Sequence, residues 1–216
     1  MKLAGVALWA LSGLLLAQEP PKTMIKMVVQ LQGPDVPPDS FAAKPKTIFR
    51  AGSKYCRIEE LPDPEHGIHG VFIVKEPDTW MVNLADSTAR HMTDPGPTFN
   101  CRLPIFAGWL SDIPEDAAKQ VGALEFGRET EFFTARDAKP AKGPEMQSKQ
   151  TTAYIVQFGE VTLALFTYGE PAKPLAVAIK HGDKHDILWY SGYGEVEFRS
   201  DLFDEPSGVK IEDMKQ

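Results

Sequence analysis

Five histidines are the residues of this sequence best suited to metal binding or proton transfer. Four of them form two close pairs, His66 with His69 in "EHGIHG" and His181 with His185 in "HGDKH". Each pair lies among glycines and acidic residues typical of turns, and a metal site needs further ligands that converge from elsewhere in the fold. We therefore expect solvated turn histidines, and we predict no metal site and no cofactor.

Acidic residues around Arg128 are the second candidate for chemistry. In "EFGRETEFF", Glu125, Glu129 and Glu131 flank this arginine on a predicted helix, and ordinary surface ion pairs explain their spacing. The sequence contains no glycine-rich phosphate loop, no nucleophile elbow and no His-Glu-x-x-His zinc motif. We therefore predict that the protein is not an enzyme.

The chain has two cysteines, Cys56 and Cys101. Their number and spacing exclude a CxxC redox pair and a cysteine-rich zinc site. In an oxidising compartment a disulfide between them is one interpretation, and two separately buried thiols is the other. The sequence alone does not decide between the two.

The first residues have the pattern of a secretory signal peptide. Lys2 gives a positive start, residues 3–16 are almost continuously apolar, and Ala17 precedes a polar stretch. This apolar run is shorter than the ~20 residues that a transmembrane helix needs, although an uncleaved anchor is the alternative. We predict cleavage after Ala17, one mature domain over residues 18–216, and a periplasmic or secreted location.

The charge of the chain limits its partners. The formal net charge is −7, and it becomes one unit more negative when Lys2 is removed with the leader. An acidic chain is repelled by nucleic-acid phosphates and by anionic membrane surfaces, so we exclude nucleic acid as a partner. With 18 prolines and many β-branched and aromatic runs, the mature chain is predicted to be a single mainly β domain.

Alternating apolar runs predict two groups of strands with helices between them. The first group comprises residues 23–32, 47–51, 54–61, 70–75, 80–84 and 88–92. After a Pro- and Gly-rich crossing, "SDIPEDAAKQV" predicts a helix with Asp112 as its N-cap, and "ALEFGRETEFF" predicts a second helix. A charged loop at 136–149 then leads to an antiparallel meander, with runs at 151–159, 161–169, 174–182, 185–193 and 195–200.

The stretch "TWMVNLADSTARHM" has an apolar face that something must cover. In a strand, Trp80, Val82 and Leu84 point to the same side, and the cover is either the rest of the fold or a ligand. Aromatic residues elsewhere are candidates for the same apolar groove. The predicted groove-lining set is Trp80, Val82, Leu84, Trp109, Phe166, Trp189 and Tyr190. Ordinary core packing is the alternative interpretation for all of them.

The C-terminal segment "SGYGEVEFRSDLFDEPSGVKIED" resembles the closing segment of the LolA-like superfamily of periplasmic lipoprotein carriers and outer-membrane lipoprotein-sorting proteins. Members commonly end with Leu-Phe, a spaced proline, Gly-Val and an alternating strand. The matching residues here are Leu202-Phe203, Pro206 and Gly208-Val209. The order of predicted elements is also similar, whereas the proline-rich crossing and "EFGRETEFF" depart from the carriers. The chain is therefore interpreted as a divergent member.

This resemblance implies a mainly β (α+β) fold, in which a strongly curved antiparallel sheet forms an unclosed half-barrel with helices in its mouth. It also implies an apolar groove that holds a lipid, an acyl chain or a lipoprotein, with transient contact to the envelope membrane or to a receptor protein. The alternative function is a structural or regulatory protein-interaction domain of the same fold. In that case the protein's own helices fill the groove.

Overall fold

A computed structural model describes residues 21–34, 36–38, 40, 43–93, 99, 101–102 and 113–214. The predicted signal peptide, Asp112 and the candidate Trp109 lie outside these residues. The strands are β1 (Thr23–Gln32), β2 (Lys46–Ala51), β3 (Tyr55–Glu60), β4 (Gly70–Lys75), β5 (Asp78–Asn83), β6 (Thr88–Thr93), β7 (Ala141–Met146), β8 (Lys149–Phe158), β9 (Val161–Tyr168), β10 (Lys173–His181), β11 (Lys184–Glu197) and β12 (Lys210–Asp213). The helices are α1 (Glu115–Val121) and α2 (Glu129–Thr134), and a short 3-10 helix spans Ser200–Phe203.

All twelve strands belong to one curved sheet that is not closed into a barrel. Their spatial order is β12-β6-β5-β4-β3-β2-β1-β11-β10-β9-β8-β7, so β12 and β7 form the two edges. Neighbouring strands are antiparallel except for β12, which pairs with β6 in parallel. The first strand therefore lies in the middle of the sheet, where β1 joins an early half, β2 to β6, to a late half, β7 to β11.

The predicted antiparallel meander of the late half is confirmed, but two details are wrong. The last two runs form one strand, β11, because Gly194 between them pairs in register with Lys26, and the irregularity lies at Gly192 (φ +63°), where the register against β1 shifts by one residue. A positive-φ glycine there makes a bulge rather than a turn. The charged loop at 136–149 contains β7, which includes Pro144. An edge strand tolerates a proline, because one side of it needs no N–H donor.

The two faces of the sheet bury different residues. One face, called here the helix face, carries Met27 and Val29 of β1 together with Leu163 and Leu165 of β9, and it packs against the helices. The opposite face carries Val71 and Ile73 of β4 with Trp80 and Val82 of β5. Residues that are directly paired on neighbouring strands point to the same face of the sheet, as Ile73 and Trp80 do.

The helix face is covered by α1, α2 and the turn between them. Buried apolar residues of this cover are Val121, Leu124, Phe126, Phe132 and Phe133. The second helix is shorter than predicted because Gly127 has φ +78°, and a Cβ at that position would lie 2.9 Å from Arg50 Cδ. Neither helix in the described ranges is long and apolar enough to cross a membrane.

The C-terminal segment crosses the opposite face of the early half. Residues 199–213, called here the C-terminal strap, begin with the 3-10 helix and end with β12. Phe203 is fully buried beside Met24 and Ala51, and Val209 and Ile211 pack against the cluster that contains Trp80. The strap thus covers the apolar strip that β4 and β5 present on this side of the sheet.

Candidate functional site

The residues predicted to line one groove lie on both faces of the sheet. Trp80 and Val82 are buried on the opposite face, whereas Tyr190 is buried on the helix face. Trp189 precedes Tyr190 in β11 and therefore points the other way. The prediction of a single wall formed by these residues is wrong.

Phe166 and Trp189 are brought together on the opposite face of the late half. Both are paired in register with Ala176, one from each side, and both are half-buried. This row is separated from Trp80 by the strands between them, since β11 and β5 are not neighbours. Trp80 and Trp189 therefore lie on the same face of the sheet but do not line the same groove.

The chain itself covers the apolar face of "TWMVNLADSTARHM". The C-terminal strap lies over Trp80, and a cavity of about 230 Å³ remains beneath the strap. Its lining includes Val71, Ile73, Val82 and Leu84 from the sheet, and Pro206 from the strap. Val82 and Leu84 thus do line one cavity, but this cavity lies on the face opposite the helices.

A cluster of charged residues lies beneath the helical cover and forms the candidate functional site. Its centre is Arg50 of β2, whose side chain is only 3 % exposed. Arg50 Nε donates to the Gly52 carbonyl at 3.1 Å, and Nη1 donates to the Phe126 carbonyl at 2.5 Å. Its Nη2 lies 2.9 Å from Glu125 Oε2, and the Phe99 ring lies 5.1 Å from the guanidinium. Arg50 therefore ties the turn between α1 and α2 to the sheet.

Glu129 is the second member of this buried charge cluster. It is 1 % exposed, and its Oε1 accepts a hydrogen bond from the Gly127 N–H at 2.9 Å. Burial raises the pKa of Glu129 to about 7, although the backbone N–H groups, Tyr190 and Arg50 act in the other direction. The carboxyl can therefore hold a proton near neutral pH.

The Tyr190 hydroxyl completes the cluster. It is buried beside Glu129 and has no hydrogen bond of good geometry among the described residues. Burial raises the pKa of Tyr190 well above its ordinary value, and the Glu129 carboxyl adds to this effect. Among the predicted groove residues that the structure describes, Tyr190 is the one that lies within the buried charge cluster.

A cavity of about 450 Å³ adjoins the cluster at the edge of the cover. Its charged lining residues are Arg50, Arg128, Glu131 and Glu195. Arg128 Nη2 lies 2.5 Å from Glu131 Oε2, and Glu195 accepts a hydrogen bond from the Thr23 hydroxyl. The two arginines are therefore paired with carboxylates of the protein, and the hydrogen-bond partner of the Glu195 carboxylate is a neutral hydroxyl.

A second buried ion pair lies further along the same face. Lys46 Nζ is 3.6 Å from Glu60 Oε2, and both side chains are almost fully buried. Burial lowers the pKa of Lys46 to about 8, with Glu60 opposing the shift. Glu60 Oε1 also accepts a hydrogen bond from the Gly70 N–H at 2.8 Å. Each of these two charges therefore has a partner in the protein.

Replacing Glu129 by glutamine is expected to change how stability depends on pH. Between the ordinary pKa of 4.5 and about 7, the unfolded chain has lost the Glu129 proton while the folded chain retains it. Stability therefore falls as pH rises through this window, by at most about 3 kcal/mol from this one carboxyl. Glutamine does not titrate, so Glu129→Gln should gain stability relative to wild type from about pH 5 to about pH 8.

Urea unfolding of both proteins at the two pH values measures this difference. Glu131→Gln is the matched control, because Glu131 is exposed and lies on the same helix. If the free energies of unfolding of wild type and Glu129→Gln change equally between the two pH values, the Glu129 carboxyl does not hold its proton in the folded chain.

No protein-family model and no curated protein sequence matches this chain. Among solved structures, it is similar to an uncharacterized conserved protein from Thermus thermophilus, with 8 % identity, a TM-score of 0.52, and coverage of 89 % of this chain and 91 % of that one. A LolA superfamily protein from Nitrosomonas europaea has 11 % identity and a TM-score of 0.35 over 85 % and 90 %. PNGF-II has 8 % identity and a TM-score of 0.41 over 90 % of this chain and 32 % of that one. The Thermus similarity shows a shared fold, and none of the three says what this chain binds.

Proposed function

We propose that this chain is an exported, non-enzymatic binding protein that holds a lipid, an acyl chain or an acylated protein on the helix face of a LolA-like half-barrel. One observation carries the proposal. The apolar helix face continues across both halves of the sheet, and among the described residues the helical part of its cover consists of two helices of 7 and 6 residues with the turn that joins them.

The energies of cover and ligand are similar in size. Exposing the five apolar side chains of the cover costs about 1.5 to 3 kcal/mol each, on the order of 10 kcal/mol in total. An acyl chain of about 14 methylene groups gains roughly 0.8 kcal/mol per group when it is buried in their place. The exchange is therefore close to balanced, and the helices in the mouth of the half-barrel act as a replaceable cover.

A specific observation favours a second candidate, a protein-interaction domain with a self-filled groove. Two cavities that described residues form next to the helices lie at the edge of the cover or outside it and have charged residues in their linings, and the described part of the helix face between them is packed with the protein's own side chains. This candidate predicts that the outer surface or a sheet edge binds protein, and that no acyl chain enters.

Acyl-probe binding separates the two candidates. The protein is expressed with its leader, its intact mass is measured, and its organic extract is analysed by mass spectrometry. We expect a mature chain that begins at Gln18, a co-purifying amphiphile, and binding of a fluorescent fatty acid at micromolar concentration or below. An intact leader would contradict export, and the absence of both amphiphile and probe binding would leave the interaction domain as the function.

A tryptophan reporter locates the bound chain. Phe158 of β8 is half-buried against the helix-face core, so Phe158→Trp adds a reporter on that face, whereas native Trp80 and Trp189 lie on the other. A brominated fatty acid should quench the fluorescence that Phe158→Trp adds over wild type. With Trp109 replaced by phenylalanine in both proteins, quenching confined to Trp80 and Trp189 would place the ligand on the opposite face.

A further inference from the structure

His91 joins three strands at the end of the C-terminal strap. Its Nδ1 lies 2.8 Å from Asp213 Oδ1 of β12, and its Nε2 lies 3.0 Å from Asp78 Oδ1 of β5. The ring stacks on Trp80 with 5.2 Å between centroids. His91 thus connects the last strand of the chain to the sheet through side chains as well as through the backbone of β6.

Both ring nitrogens of His91 face carboxylate oxygens, which only accept hydrogen bonds. A neutral imidazole donates from one nitrogen only, whereas an imidazolium donates from both, so this geometry requires the charged form. The hydrogen bonds with Asp213 and Asp78 accordingly raise the pKa of His91 above its ordinary 6.5. Lys75, which is paired in register with Asp78, directs its Nζ to Asp204 at 2.8 Å instead.

We propose that β12 is a pH-operated closure of the opposite face, which is held against β6 while His91 is an imidazolium and released when His91 loses its proton. Below the ordinary pKa, His91 is charged whether or not the strand is docked, and the docked state has both ion-pair contacts. As pH rises through the raised pKa of His91, the neutral ring loses one of its two ion-pair contacts. The equilibrium constant for docking of β12 then falls about tenfold for each unit by which docking had raised this pKa.

The remainder of the strap stays in place, because its anchors do not involve His91. Phe203 is fully buried, Arg57 Nη1 donates to the Leu202 carbonyl at 3.1 Å, and Lys75 pairs with Asp204. Release is therefore limited to the part beyond Pro206. It uncovers the outer edge of β6 and the apolar cluster of β4 and β5 on which Val209 and Ile211 pack.

The uncovered edge is a site for main-chain pairing. β12 satisfies it with few bonds, including Lys210 N–H to the Ser87 carbonyl and Met214 N–H to the His91 carbonyl, each 2.8 Å long. An extended segment of another protein could take the same position beside β6, with apolar side chains in place of Val209 and Ile211.

Hydrogen exchange across a pH series tests this closure in the full mature protein. After correction for the intrinsic pH dependence of exchange, amides of residues 210–214 should lose protection, by up to about fivefold for an exposed ion pair, at the pH where NMR shows His91 titrating. Amides of residues 200–204 should not change. His91→Gln keeps a donor but does not titrate, so the step should vanish, and Asp213→Asn should move it to lower pH.

His66→Gln is the matched control, because His66 also contacts an aspartate, Asp63, at 2.9 Å but lies away from the strap. It should leave the step unchanged. A His91 that titrates at or below pH 6.5 would overturn the proposal. So would a strap whose 210–214 amides keep their protection through the titration, or a step that persists in His91→Gln.

Discussion

Replacing Arg50 by methionine is expected to lower the free energy of unfolding by about 3 to 5 kcal/mol. The substitution removes the positive charge that lies 2.9 Å from Glu125 and near the buried Glu129. It also leaves the Phe126 carbonyl without the donor that ties the turn between the helices to β2. Thermal or urea unfolding measures the loss.

Arg128→Met is the control for this prediction. Arg128 lines the same cavity and pairs with Glu131, but its side chain is 51 % exposed, so its loss should cost less than about 1 kcal/mol. Adding Glu125→Gln to Arg50→Met should restore part of the stability, because it removes the carboxylate that has lost Arg50 and retains only Arg102, at 3.7 Å. Equal effects of the two arginine substitutions would show that Arg50 does not compensate buried charge.

Removing the disulfide is expected to cost about 4 kcal/mol, as an upper figure from loop-closure entropy. The structure joins Cys56 of β3 to Cys101, which are 45 residues apart in sequence, with their Cα atoms 5.5 Å apart. Both residues are fully buried in the helix-face core, and the Cys101 carbonyl accepts a hydrogen bond from the Phe126 N–H at 2.9 Å. The disulfide therefore fixes Cys101 to β3, and Cys101 in turn binds the turn between the two helices.

Thiol titration and unfolding check this prediction together. The denatured, unreduced protein should show no free thiol, and the Cys56→Ala, Cys101→Ala double variant should unfold at the same urea concentration as reduced wild type. Two free thiols per chain, or a double variant as stable as oxidised wild type, would show that the bridge does not form in the protein.

Most strands were predictable because alternation is a local property of the sequence. The runs at 23–32 and 70–75 coincide with β1 and β4, since their apolar residues alternate and turn residues bound them. Gly194 misled the prediction because a glycine between two apolar runs is typical of a turn, whereas here it pairs in register with Lys26 inside one strand. The partner strand decides which of the two forms, and the register is not a local property.

The buried charges left a signal in the sequence that strand parity could have revealed. Lys46 and Arg50 lie two residues on either side of Ile48 in β2, and Ile48 is fully buried, so all three share the inward face. Glu129 gave no such signal. It was predicted to be a surface ion-pair residue on a longer helix, whereas Gly127 ends the preceding turn and the carboxyl turns inward.

The groove prediction failed because it neglected the alternation of side chains along a strand. Trp189 and Tyr190 are adjacent in one strand and cannot share a wall, which the sequence alone implies. Which face the helices cover was not predictable, because it depends on how the two halves of the sheet join. The sequence of the strap was recognised as similar to a LolA-like closing segment, but its position over Trp80 was not predicted.

The central position of β1 sets the order in which the chain can fold. β1 pairs with β11, and the contact of Thr23 with Glu197 spans nearly the whole sequence. The early half can form its hairpins as synthesis proceeds, but β1 remains an open edge until almost the last strand has emerged. Each half-sheet then carries an unpaired edge that other chains can join, so the slowest step of folding is also the step most exposed to aggregation.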